Sequence, residues 1–205
     1  GSDVLNSGTI ITKDFRGIYV GGNVSGNVTN SGTINTYGSG GWTGIFIGAN
    51  VIGDLINSGV INSGTYSGSG LYVYGGVGGS VTNSGTINGY RGYYIHGNTG
   101  VGGDVINSGT INGTNGNGFY IMADVGSSVI NSGVINAGTS GYGVYVGGNV
   151  GINVENSGII DAYQAGLYVH GGVGGDVINS GTIISSGYRG IYISGNVGGS
   201  VTNSG

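Results

Sequence analysis

The tripeptide Asn-Ser-Gly begins at Asn6, Asn30, Asn57, Asn83, Asn107, Asn131, Asn156, Asn179 and Asn203, at intervals of 24, 27, 26, 24, 24, 25, 23 and 24 residues. A chain that keeps returning to the same residues at this period is a stack of near-identical units, and the repeat decides the fold before local propensity does. Two residues before each Asn stands an aliphatic: Val4, Val28, Leu55, Val81, Val105, Val129, Val154, Val177 and Val201. Four residues after each of the first eight stands Ile: Ile10, Ile34, Ile61, Ile87, Ile111, Ile135, Ile160 and Ile183.

A third segment follows in every repeat, with glycine leading an apolar triplet, from Gly17-Ile18-Tyr19-Val20 to Gly190-Ile191-Tyr192-Ile193. Four residues beyond most triplets is a further valine (Val24, Val51, Val77, Val125, Val150, Val173, Val197), and the fourth repeat stretches this gap to six, ending at Val101. These are strand periodicities, because alternate residues of a strand point to opposite faces. Val28 and Asn30 are expected to face inward with Thr29 outward. Ile18 and Val20, or Phe119 and Ile121, face inward with the central aromatic outward. Glycine supplies 53 of the 205 residues. Each glycine inside a helix costs about 1 kcal/mol against alanine, which removes helix from consideration. Glycine at this level otherwise suggests disorder, yet 37% of the residues are hydrophobic and only 6% charged, so the chain can bury a core.

The expected fold is therefore all-β: a parallel β-solenoid (β-helix) of about eight coils of 23–27 residues, with three short strands per coil, as one domain over 1–205. At about 4.8 Å per coil the rod is on the order of 40 Å long. One coil cannot stand alone, and stacking supplies the rest of its stability. Gly1-Ser2 reads as a cloning remnant, although Ser2 also fits the repeat, and the chain is expected to be a piece of a longer array. An inward Asn beside an apolar core needs partners, so identical Asn residues in successive coils should either bond in a ladder or cap the turn backbone. Ser-Gly then turns the corner, with Gly free to take positive φ.

Function has fewer signals. Net charge is −4, and Lys13, Arg16, Arg91 and Arg189 are the only cations, so nucleic acid is not an expected partner. No apolar run approaches the roughly 20 residues that span a bilayer, and no cysteine is available for disulfides or thiolate metal sites. The spacing from repeat Ile to triplet Gly varies as 7, 10, 9, 5, 7, 8, 6 and 7, so one corner carries loops of changing size, which is where repeat proteins commonly bind. Those loops hold Phe15, Tyr37, Trp42, Tyr66, Tyr90, Tyr142, Tyr163 and Tyr188. Three read aromatic-Arg-Gly: Phe15-Arg16, Tyr90-Arg91 and Tyr188-Arg189. The candidate binding residues are Phe15, Trp42, Tyr66, Tyr90, Arg91, Tyr188 and Arg189. An aromatic beside a planar cation stacks on a sugar ring or a protein partner, or else packs over the coil edge and shields it.

The outward aromatics Tyr19, Phe46, Tyr72, Tyr94, Tyr120, Tyr145, Tyr168 and Tyr192 form a stripe that stabilises its own sheet and also offers a surface for carbohydrate or lateral association. Outward rows such as Thr9, Thr33, Val60, Thr86 and Thr110 bring ice binding to mind, but Thr alternates irregularly with Val and Ile. Residues 171–179 fit a calcium nonapeptide, yet the Asp position varies along the stack as Asn27, Asp54, Ser80, Asp104, Ser128, Asn153, Asp176 and Ser200. A residue that bonds the local backbone accounts for that set without a metal, so no metal and no cofactor is expected. Asp54 and Asp104 lie two coils apart, and His96 and His170 three, so no catalytic constellation forms and an enzyme is not expected.

The pattern V-x-N-S-G-T-I…G-I-Y-V, carried over the whole chain, resembles the repeats of passenger domains of bacterial type V autotransporters. That resemblance implies secretion, display at the outer-membrane surface, and a role as an adhesin or its stalk. The expected function is a non-catalytic structural and adhesive rod, with a host-surface glycan or protein, or other copies of itself, as partner. A self-assembling filament module is the alternative, and a polysaccharide-acting or ice-binding β-helix the third reading.

Overall fold

A computed structural model describes residues 2–38, 40–64 and 66–205 of the chain. They wind into a parallel β-solenoid in which every coil contributes one strand to each of three sheets. The first sheet has nine strands, from Val4–Asn6 and Val28–Asn30 to Val201–Asn203. The second has eight, from Thr9–Lys13 to Thr182–Ser185, and the third eight, from Ile18–Val20 to Ile191–Ile193. Each strand pairs in parallel with its counterpart one coil away, Val4 with Val28 and Asn6 with Asn30, on to Val177 with Val201 and Asn179 with Asn203. A fourth column of single bridges joins Val24, Val51, Val77, Val101, Val125, Val150, Val173 and Val197. The stretched fourth coil thus returns to register, its two extra residues absorbed in a turn where Gly100 takes φ +67° and its N–H reaches the Gly97 carbonyl. Among the described residues there is no helix, hence none long and apolar enough to cross a membrane.

The inward columns are those the alternation predicts. In the first sheet the middle coils bury both the aliphatic and the Asn and leave the residue between half-exposed. In the third sheet, triplet positions one and three are buried around the outward aromatic. The fourth and fifth coils place an aromatic at triplet position one. Tyr93 is 0% exposed, stacks 4.8 Å from Phe119, and satisfies its hydroxyl on the Thr82 carbonyl at 3.3 Å. A buried phenol without that acceptor would leave a polar group in hydrocarbon.

The buried Asn residues do both of the things expected of them. Asn83 Nδ2 donates to Asn107 Oδ1 in the following coil at 2.8 Å and to the Gly85 carbonyl of its own turn at 3.2 Å. The same pair of bonds recurs from Asn6 to Asn179, so both amide hydrogens are used in every coil. A second, outer ladder was not foreseen. Asn62, Asn88, Asn112 and Asn136 donate to Asn35, Asn62, Asn88 and Asn112 at 2.7–2.8 Å, each toward the preceding coil and so opposite to the buried file. Its sign in the sequence is the Asn that directly follows the repeat Ile in five consecutive coils, Asn35, Asn62, Asn88, Asn112 and Asn136.

Two expectations need correction. Glycine of the Asn-Ser-Gly corner does not take positive φ; among the described residues the glycines that do are Gly38, Gly41 and Gly100. Its requirement is steric. A Cβ at Gly109 would collide with the Gly85 carbonyl oxygen and lie 2.7 Å from the Ser84 carbonyl carbon, both backbone atoms of the coil before. The Asp54 column, expected to bond its local backbone, instead bonds the next coil. Asp54 Oδ1 accepts the Ser80 N–H at 2.8 Å, Asp104 Oδ1 accepts the Ser128 N–H at 2.9 Å, and Asp176 Oδ1 accepts the Ser200 N–H at 2.7 Å. Asn, Asp and Ser interchange there because each offers an acceptor oxygen of similar reach.

Candidate functional site: an aromatic edge with unpaired arginines

The outward aromatics sit in exact strand register, Tyr94 beside Tyr72 and Tyr120. Strand spacing therefore brings their rings into one stack. Centroids are 5.4 Å apart for Tyr19–Phe46, 5.1 Å for Phe46–Tyr72, 5.0 Å for Tyr72–Tyr94 and 5.1 Å for Tyr94–Tyr120. The stack continues at 4.5 Å for Tyr120–Tyr145, 5.2 Å for Tyr145–Tyr168 and 4.8 Å for Tyr168–Tyr192. Most pairs are within 20° of parallel, with tilts of 41° at Tyr72–Tyr94 and 38° at Tyr168–Tyr192. Each interior ring stacks on a neighbour to either side and shows solvent an edge, with a hydroxyl at every one but Phe46. A sugar that needs a ring face finds none along the middle of the stripe. Partial burial, followed by the neighbouring phenols, pushes the Tyr72, Tyr120 and Tyr145 hydroxyls above the ordinary tyrosine range.

The variable corner lies alongside. Phe15, Tyr66 and Tyr188 are 70%, 74% and 74% exposed, while Trp42 and Tyr90 are half-buried. Phe15 stacks on Trp42 at 5.6 Å, and Trp42 Nε1 has no hydrogen-bond partner among the described residues. The three arginines of the aromatic-Arg-Gly motifs fold back over the stripe. Arg16 Cζ lies 4.3 Å from the Phe46 centroid, Arg91 5.1 Å from Tyr90 and 5.2 Å from Tyr94, and Arg189 4.5 Å from Tyr192. Of the two roles expected for these motifs, the geometry is that of the covering one, with the cations lying on the chain's own aromatic rings. The structure brings Tyr188 and Arg189 together with Tyr142, Gln164, Ala165, Tyr168 and Tyr192 around a cleft of about 220 Å³. Phe15 and Trp42, Tyr66, and Tyr90 with Arg91 occupy separate stations along the rod. Tyr142 belonged to the loop aromatics but not to the binding candidates; its ring stands edge-on to Tyr168 at 62° and 5.2 Å. No spacing in the sequence announces that wedge.

Other candidates are held apart. His96 packs 5.1 Å from Tyr74, and His170 lies 6.5 Å from Tyr168, both beside the stripe. Asp54 and Asp104 are each committed to a backbone N–H, with Ser80 between them in the column. Among the described residues no three His, Asp or Glu side chains gather closely enough to hold a metal ion. No protein-family model matches the chain, and no curated protein and no solved structure matches it either. The class that fold and edge define is accordingly the parallel β-solenoid itself, with a uniform scaffold and one variable, aromatic corner.

Proposed function

We propose that the chain is a non-catalytic structural and adhesive rod, displayed at a bacterial cell surface, whose variable corner is its binding face. One observation carries the reading. Apart from the stretched turn of the fourth coil, the spacing within the coil is constant except at that corner, and there the rings of Phe15, Tyr66 and Tyr188 are exposed. Binding energy in such surfaces concentrates on aromatic and arginine anchors. The surface location rests on the resemblance of the repeat to autotransporter passenger domains. The test replaces Phe15, Trp42, Tyr66, Tyr90 and Tyr188 together by alanine and measures attachment of the rod to host-cell surfaces and glycan arrays. Attachment is expected to fall while circular dichroism and the unfolding midpoint hold. Undiminished attachment would leave only the structural half of the proposal.

A filament module is favoured by a different observation. The buried ladder repeats donor, acceptor and register identically at each coil junction, Asn6 to Asn30 as Asn179 to Asn203. A coil of one copy can therefore receive a coil of another as it receives its own neighbour. Sedimentation that stays monomeric at rising concentration rules this out.

A further inference from the structure

We propose that the cleft between the loops of the sixth to eighth coils is a binding site for a single carboxylated hexopyranose, a uronic acid unit. The assignment deepens the adhesive reading and rests on it. The cleft is lined by four tyrosines, Tyr142, Tyr168, Tyr188 and Tyr192, together with Gln164 and Arg189. Its rings differ from those of the central stripe in what they leave free. Tyr142 is inclined to Tyr145 and Tyr168 at 50° and 62° instead of joining their parallel stack, and Tyr188 is 74% exposed and stacks on no ring among the described residues. A pyranose ring is matched to such walls, having apolar C–H faces and a rim of hydroxyls. A volume of about 220 Å³ falls below the roughly 300 Å³ at which pockets begin to enclose drug-sized ligands, so the cleft takes one ring rather than a chain.

The charge selects the kind of sugar. Arg189 lies over Tyr192 with its Cζ 4.5 Å from the centroid, a cation–π contact that uses none of its N–H groups. Among the described residues Arg189 forms no ion pair and donates no side-chain hydrogen bond. None of the residues lining the cleft is acidic. On a chain of net charge −4, three of four cations lie on this aromatic face, each over a ring and none donating a side-chain hydrogen bond among the described residues. A planar fork with five donors, fixed beside aromatic walls, fits a carboxylate carried on a sugar ring. A neutral sugar would leave the guanidinium unused, and a small anion would leave the walls unused.

The rod is titrated with methyl glucuronide, methyl glucoside and sodium acetate at constant ionic strength, following tyrosine ring signals by NMR. Methyl glucuronide is expected to saturate and to shift the Tyr142 and Tyr188 rings, with methyl glucoside roughly ten- to a hundredfold weaker, as loss of a charged hydrogen bond implies. Acetate should leave the ring signals in place. Arg189→Gln should reduce glucuronide to the level of glucoside, Tyr188→Ala should weaken both, and Lys13→Gln, outside the cleft, should change neither. Equal affinity for the two glycosides, binding that survives Arg189→Gln, or no saturation would overturn the proposal. Should glucuronide fail while the five-residue alanine variant still loses surface attachment, the cleft assignment falls and the adhesive rod stands. Should attachment also be undiminished, both fall.

Discussion

Glycine of the Asn-Ser-Gly corner shows how a residue's role can depend on its neighbour one coil away. Gly109 and Gly8 hold the same position in the same motif, and neither has positive φ. A Cβ on Gly109 collides with backbone of the previous coil, whereas a Cβ on Gly8 meets nothing within 4 Å. Gly109→Ala should therefore cost about 1–3 kcal/mol, as overpacking of a filled interior does, and Gly8→Ala should be close to neutral. Equilibrium urea unfolding of the two variants decides it, and equal losses at both sites would return the explanation to backbone conformation. The sequence displays every such glycine but cannot display why it is needed, because the obstructing carbonyl belongs to a residue 24 positions earlier. Asn was more legible. A buried amide demands partners, and an identical amide one coil away is the only partner a repeat guarantees.

At the scale of the strand and its sheet, alternation gave the inward and outward columns because each strand has one buried and one exposed face. The outer Asn file is hard to read from the sequence, although Asn follows the repeat Ile in five consecutive coils, because it lies among outward Thr and Val that read simply as strand formers. The cleft was not legible at all. It depends on loops of unequal length converging, and length alone does not say which way Tyr142 leans. The aromatic column has a consequence at high pH. Burial alone pushes the Tyr93 phenol far above its usual range, and burial with neighbouring phenols raises Tyr72, Tyr120 and Tyr145. Below about pH 10 these groups are protonated whether the chain is folded or not. Above it, the unfolded chain releases protons that the folded chain retains, so stability is lost as pH rises through the raised values. An alkaline titration followed by circular dichroism should show cooperative unfolding above about pH 10. Tyr93→Phe, which keeps the ring and removes the ionisable group, should move that midpoint upward. An unshifted midpoint would show that Tyr93 does not set the alkaline limit.

For the whole rod, cohesion comes from apolar columns and hydrogen-bonded files, with no ion pair among the described residues. Raising salt from about 0.02 M to about 0.5 M shortens the screening length several-fold, yet the thermal midpoint should move by no more than a few degrees. Binding of an anion at Arg189 should weaken over the same range. A midpoint that falls steeply with salt would reveal stabilising charge pairs in the folded rod. The opposed direction of the two Asn files bears on how long such a rod can grow. A side-chain amide is a small dipole. The buried file points its donors toward the following coil, and the outer file points them toward the preceding one. Strand backbone alternates in the same way, Val28 N–H reaching forward to the Asp54 carbonyl and Ser31 N–H back to that of Asn6. An α-helix sums its peptide dipoles and ends with partial charges at its termini; here, over the coils that carry both files, they offset. Coils can be appended without electrical polarity building up along the axis, so the length of such an array is limited by how faithfully each new coil matches the last.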